Sequence, residues 1–129
     1  MTLHLLLVED NTELRQEIEE YLCRRSLRVT AVGSLTEAHA LLTRPPSSDD
    51  TIDVVLCDVN LRDGSGVDLY LEFAPIRSSC RWVLMSGAPD LDVLVSEQQR
   101  VPGLPPCTIV TKPVSLRDLA ALVSGGRIS

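Results

Sequence analysis

Two apolar runs in this chain close on acids. His4-Leu-Leu-Leu-Val8 is followed by Glu9 and Asp10, and Asp53-Val-Val-Leu-Cys57 is followed by Asp58. If both runs are strands of one parallel sheet, the three carboxylates share one sheet edge. Like charges held close together repel, so such a cluster needs a cation or a proton to relieve it. A hard divalent cation, which takes oxygen ligands and can then hold a phosphoryl group, suits three carboxylates best. Two more strand ends point the same way: Arg81-Trp-Val-Leu-Met-Ser86 ends in a hydroxyl, and Cys107-Thr-Ile-Val-Thr111 runs into Lys112-Pro113. Singly, each residue has an ordinary alternative as a helix cap or a turn residue. Together they bring acids, a hydroxyl and an amine to one crevice, at the edge where open parallel sheets bind ligands.

The elements that must position these groups alternate along the chain. Asn11 caps a helix from about Thr12 to Arg25, with Leu14, Ile18, Tyr21 and Leu22 on one face. Residues 27–32 alternate as a strand, and Ser34-Leu-Thr-Glu37 is a capping box opening a helix through Leu35, Ala38, Leu41 and Leu42. Residues 44–51 form a proline-broken polar loop that carries the solvated pair Asp49-Asp50. After Asp58, the Gly-rich turn Asp63-Gly-Ser-Gly66 leads into a helix through Val67, Leu71 and Phe73, with Asp63 assigned to turn chemistry alone. Ser115 caps a last helix through Leu116, Leu119, Ala120 and Val123, which Gly125-Gly126 stops. Five strands alternating with helices imply a doubly wound parallel sheet with helices on both faces.

Composition narrows the function. The 129 residues fit one domain (1–129), and 44% hydrophobic content is globular. A net charge of -6 with no Lys/Arg cluster argues against direct nucleic-acid binding. No apolar stretch is long enough to span a bilayer, and the N-terminus lacks a secretory pattern, so a cytoplasmic location is the default. Cys23, Cys57, Cys80 and Cys107 form no C-x-x-C pair and read as small buried thiols. His4 and His39 show no partners in the sequence and read as structural.

Taken in order, Leu6-Leu-Val-Glu-Asp-Asn11, Val55-Leu-Cys-Asp-Val-Asn-Leu-Arg-Asp-Gly-Ser-Gly66, Leu84-Met-Ser-Gly87 and Thr111-Lys-Pro113 resemble the receiver domain of bacterial two-component response regulators. The resemblance covers essentially the whole chain. It implies a flavodoxin-like fold with strand order 2-1-3-4-5 and a stand-alone receiver or a receiver cut from a larger protein. It implies that Asp58 accepts a phosphoryl group from a sensor histidine kinase or phosphotransfer protein, switching a surface toward a downstream protein target. By the same resemblance Asp10, Asp58 and the backbone carbonyl of Asn60 bind Mg2+, Glu9 acts through water, Lys112 pairs with a phosphoryl oxygen, and Ser86 donates to it. Pro113 resembles the family's usual cis proline. The chain would then be a phosphoacceptor with limited self-phosphorylation and slow autodephosphorylation, not a turnover enzyme. A homodimer through the fourth or fifth structural units fits the same family.

Two features depart from the pattern. Ile109 stands where the family usually carries Tyr or Phe, which removes an aromatic relay. The segment between Ser86 and Lys112 is long and contains Pro89, Pro102, Pro105 and Pro106, so the helix expected near 90–100 should be short or irregular. Two other readings compete. One is a phosphorylation-independent pseudo-receiver. The other is a haloacid dehalogenase-type phosphohydrolase, which requires a second Asp where this chain has Asn60.

Overall fold

A computed structural model of the chain describes residues 3–44, 51–77, 79–87 and 107–124. The main sheet contains β1 (His4–Val8), β2 (Arg28–Val32), β3 (Val54–Asp58), β6 (Arg81–Ser86) and β7 (Cys107–Thr111). Between β3 and β6 lies a small antiparallel pair, β4 (Asn60–Leu61) and β5 (Gly64–Ser65). The main sheet runs β2-β1-β3-β6-β7 and all its pairings are parallel. Counting its five strands alone, this is the expected order 2-1-3-4-5. Four helices are described: α1 (Thr12–Cys23), α2 (Leu35–Thr43), α3 (Gly66–Phe73) and α4 (Leu116–Val123). The irregular helix expected near 90–100, the four prolines around it, the pair Asp49-Asp50, the stop at Gly125-Gly126 and Ala88, two residues beyond Ser86, all lie outside the described residues.

The central strands read as unbroken apolar runs because both sheet faces are covered. Side chains alternate along β1. Leu5 and Leu7 join Ile18, Leu22, Leu56, Met85, Leu119 and Val123 beneath α1 and α4. Leu6 and Val8 face the other way, with Ala38, Leu42, Cys57, Phe73 and Trp82 beneath α2 and α3. Each large side chain buried here contributes roughly 1.5–3 kcal/mol.

Each of the four described helices starts on a side-chain cap. Asn11 Oδ1 accepts from Leu14 N at 3.0 Å, Ser34 Oγ from Glu37 N at 3.2 Å, Ser65 Oγ from Val67 N at 3.1 Å and Ser115 Oγ from Asp118 N at 3.3 Å. Two arginines serve helix ends from a distance. Arg77 donates to the carbonyls of Leu42 and Arg44 behind α2, and Arg81 Nη2 donates to Val123 O at 2.6 Å behind α4. A cation beside the orphan carbonyls of a helix C-terminus also meets the negative end of its dipole.

Three expectations change in detail. Helix α1 ends at Cys23, short of Arg25, because Ser26 turns into the left-handed region (φ 66°) and the Leu27 amide bonds back to Leu22 O. None of the four cysteines is in a disulfide, but Cys23 is exposed, not buried, since it sits at the solvent side of the last turn of α1. Both histidines have partners across the fold: His4 Nε2 meets Thr30 Oγ1 at 2.7 Å, and His39 Nε2 meets Glu72 Oε2 at 2.9 Å while its ring packs edge-on against Phe73.

Candidate functional site at the carboxyl edge of the sheet

Register alone brings the strand ends level: Val8 pairs with Cys57, Asp58 with Met85, and Ser86 with Thr111. The ladder continues past the strands and fixes the first loop residues. Glu9 N donates to Val32 O at 3.1 Å, Val59 N to Met85 O at 2.9 Å and Lys112 N to Ser86 O at 2.8 Å. Glu9, Asp10, Asp58, Ser86 and Lys112 therefore leave the sheet along one edge.

Glu9, Asp10 and Asp58 each offer a carboxylate oxygen within 4.8 Å of the others. Lys112 bridges two of them, with Nζ 2.8 Å from Asp58 Oδ2 and 3.4 Å from Glu9 Oε1. The Lys112–Pro113 peptide is cis. Asp58 is buried, and its Oδ1 accepts from Asn60 N at 3.2 Å, so the main chain of Asn60 lies against the pocket. Asp10 is half-buried and its Oδ2 accepts from Arg62 N at 2.8 Å.

Glu9 is buried (1% exposed). Its Oε2 accepts from Asn11 N at 3.1 Å, and its carbonyl accepts from Arg15 Nη1 at 2.8 Å. Burial pushes the Glu9 carboxyl up. The Asn11 amide opposes that, the Asp58 charge adds to it and Lys112 opposes it, and the balance is a raised value. For Lys112, burial works to lower the ammonium, but the hydrogen bond and charge of Asp58 and the charge of Glu9 outweigh it and raise the value. Lys112 is thus held charged between two carboxylates. Beneath them, burial and then the charges of Asp58 and Glu9 push the Cys57 thiol up, so it stays protonated.

Ser86 is fully buried (0% exposed), and its Oγ has no hydrogen-bond partner among the described residues. A buried hydroxyl without a partner costs free energy, commonly about 1–3 kcal/mol, and is positioned to bond a ligand that arrives at the strand ends. The donor set suits a hard cation. It is all oxygen, and three carboxylates against Lys112 and Arg62 leave the cluster anionic.

Four residues belong to this site that sequence reasoning passed over or read too narrowly. Asp63 does more than turn the chain: its carboxylate accepts from Leu35 N at 3.0 Å, Thr36 N at 3.1 Å and Thr36 Oγ1 at 3.1 Å, capping α2 from a loop 28 residues away. Those amide hydrogen bonds hold its carboxyl below the usual range. Gly66 packs its α-carbon against β3, the strand that ends in Asp58. An added Cβ would overlap the Asp58 carbonyl oxygen and sit 2.8 Å from Cys57 Sγ. Arg15 reaches across Gly33 to hold Glu9 O. Arg62 faces the pocket rim. Only Gly66 had a local signal, the repeated glycine after Asp63.

Ile109 is half-buried against the α2–α3 face of the core, so an aliphatic side chain takes the place of the ring there. Among the described residues no helix is long and apolar enough to cross a membrane.

Comparison with known proteins agrees with this geometry. The family model for the response regulator receiver domain matches residues 5–124. The regulatory protein VirG of Agrobacterium tumefaciens is 30% identical over 122 residues, covering 93% of this chain and 42% of VirG. The response regulator protein PilR of Pseudomonas aeruginosa is 30% identical over 121 residues, covering 92% of this chain and 25% of PilR. The chain therefore spans less than half the length of these relatives. A response regulator receiver domain from Clostridium thermocellum superposes with a TM-score of 0.79 at 24% identity, covering 95% of this chain and 91% of that one. Matched over nearly its whole length by one family model, the chain belongs to the response regulator receiver domain family.

Proposed function

We propose that this receiver takes part in two-component signalling by accepting a phosphoryl group on Asp58 in a Mg2+-dependent reaction, from a sensor histidine kinase or a phosphotransfer protein. The observation that carries the reading is the convergence of Asp58 with Lys112 at 2.8 Å and with Glu9 and Asp10 within 4.8 Å, beside a Ser86 hydroxyl that has no partner among the described residues.

Glu9, Asp10, Asp58 and the main chain at Asn60 are the groups that would hold the cation. Bound there, Mg2+ would neutralise charge on the phosphoryl group and orient it for in-line attack. A carboxylate oxygen of Asp58 then forms a bond to phosphorus as the phosphorus–nitrogen bond of phosphohistidine breaks. The imidazole leaves with the bonding pair, and Asp58 becomes an acyl phosphate. Lys112 moves from the Asp58 carboxylate, which becomes an ester-like neutral oxygen, to a phosphoryl oxygen. Ser86 turns its Oγ–H to another phosphoryl oxygen and satisfies the hydroxyl that had no partner. Because Lys112 N already bonds to Ser86 O at 2.8 Å, both movements share one loop edge.

The chain acts as a phosphoacceptor, not as a turnover enzyme. Hydrolysis of the acyl phosphate needs a positioned water, and Ala88, two residues beyond Ser86, has no group to hold one, so self-dephosphorylation is slow. The phosphorylated domain signals to a downstream protein in the cytoplasm, without direct contact with nucleic acid or membrane, and phosphorylation favours a homodimer.

Incubation with acetyl phosphate and Mg2+, read by intact mass, tests the reading. Wild type should gain one phosphoryl group that Asp58→Asn does not, and chelation should abolish the gain. Equal labelling of both proteins, or no labelling even with a phosphorylated kinase as donor, would refute it.

A further inference from the structure

Among the described residues two cations pair with the carboxylates of the acid pocket, and they are held differently. Lys112 is embedded, its side chain 29% exposed, and bridges Asp58 and Glu9. Arg62 lies opposite, with Nε 3.9 Å from Asp10 Oδ2 and its side chain 87% exposed. Arg62 occupies the turn between β4 and β5, and that turn is tied down at both residues. The Arg62 amide bonds to the same Asp10 oxygen at 2.8 Å, while Asp63 next to it takes hydrogen bonds from Leu35 and Thr36 at the start of α2. The backbone at position 62 is thus fixed against the rim, and only the long side chain is free to move. A guanidinium on such a tether stays near Asp10 without being locked onto it, because an exposed pair at this separation is weak.

We propose that Arg62 is a tethered counter-cation that competes with the divalent metal for Asp10, so that the side chain at position 62, and the ionic strength around it, set the metal affinity of the pocket. This rests on the reading of Glu9, Asp10 and Asp58 as the cation site. A guanidinium is a fixed positive charge in proteins. Any cation that engages Asp10 must either displace that charge or bind beside it. Both cost affinity, and both costs are screened by salt. The amide at position 62 bonds to Asp10 whatever the side chain, so removing the guanidinium leaves the carboxylate's main-chain anchor in place.

Titration of Mg2+ into the protein, followed by calorimetry without any phosphoryl donor, separates this from a structural role. Arg62→Ala should bind Mg2+ roughly three- to tenfold more tightly than wild type in dilute buffer, Arg62→Lys should fall between them, and the difference should shrink below about twofold in about 0.5 M salt. A thermal melt of each protein without Mg2+ confirms that the variants are folded. Equal affinities at low salt, weaker binding by Arg62→Ala, or a difference indifferent to salt each overturns the inference and leaves the phosphoacceptor reading of Asp58 standing. Absence of Mg2+ binding in every protein overturns the metal site and this inference together.

Discussion

Replacing Lys112 by Met tests the electrostatics of the pocket. The thioether keeps most of the aliphatic stem and removes only the ammonium. That ammonium lies 2.8 Å from one buried carboxylate oxygen and 3.4 Å from another. With an effective dielectric of about 20, the attractions are about 6 and about 5 kcal/mol before desolvation is counted. Desolvation takes back most of that sum, and breaking a buried ion pair typically costs about 3–5 kcal/mol. Lys112 keeps partial solvent contact and Glu9 can take up a proton, so we expect a net loss at or just below the lower end, about 2–3 kcal/mol at neutral pH without Mg2+. For a chain of this length that lowers Tm by roughly 10 °C. Urea unfolding followed through buried Trp82 measures it. Mg2+ should narrow the gap, because the variant's uncompensated carboxylates bind the cation more tightly and the native state gains by linkage.

The pH dependence of this gap has a definite sign. The folded-state value of Lys112 is raised, so its contribution is complete below the unfolded value of 10.5 and is lost as pH rises through the folded value. Glu9 is raised too. Its ionised form is disfavoured in the folded state, so protonation as pH falls through that value relieves the variant and narrows the gap on the acid side. A Lys112→Met protein as stable as wild type without Mg2+, or one whose deficit Mg2+ leaves unchanged, would show that Lys112 does not compensate the charges of Asp58 and Glu9.

Three further outcomes follow from contacts around the site. Gly66→Ala places a Cβ into the Asp58 carbonyl oxygen, and backbone there cannot yield, so we expect a loss of about 2 kcal/mol in urea unfolding despite the better helix propensity of alanine; an unchanged midpoint would mean α3 slides freely on β3. Asp63→Asn weakens the cap on α2, and faster amide exchange at Leu35 and Thr36 should report it. Because the Asp63 carboxyl is held low, its contribution is present above pH 3.8 and is lost as pH falls through the folded value, so the wild-type advantage should fade below pH 3.8. Arg81→Ala strips donors from the last carbonyls of α4 and should cost about 1 kcal/mol, with Arg81→Lys recovering part of it; a thermal melt would contradict this if both variants matched wild type.

What the sequence made legible was the part dictated by parallel strands. Once the runs ending at Val8, Asp58, Ser86 and Thr111 are strands of one sheet, their following residues must share an edge, whatever the helices do. The helix starts at Asn11, Ser34 and Ser115 were legible for a similar reason, since each cap acts on an amide three residues ahead. Asp63 and Arg62 were not legible because their partners lie across the fold, and Arg15 was not because its hold on Glu9 O, six residues back, needs the space at Gly33. Asp63 caps a helix begun 28 residues earlier, Arg62 reaches Asp10 across 52 residues, and the Arg15 contact depends on Gly33 leaving room above the sheet. The short β4–β5 pair escaped notice because two-residue strands carry no periodicity to read.

The most direct measurement is chemical trapping of the modified residue. Protein treated with acetyl phosphate and Mg2+, reduced with borohydride and digested, should yield a peptide in which position 58 has become homoserine and every other Asp and Glu is unchanged. Homoserine at Asp10 or elsewhere with Asp58 intact would contradict the account.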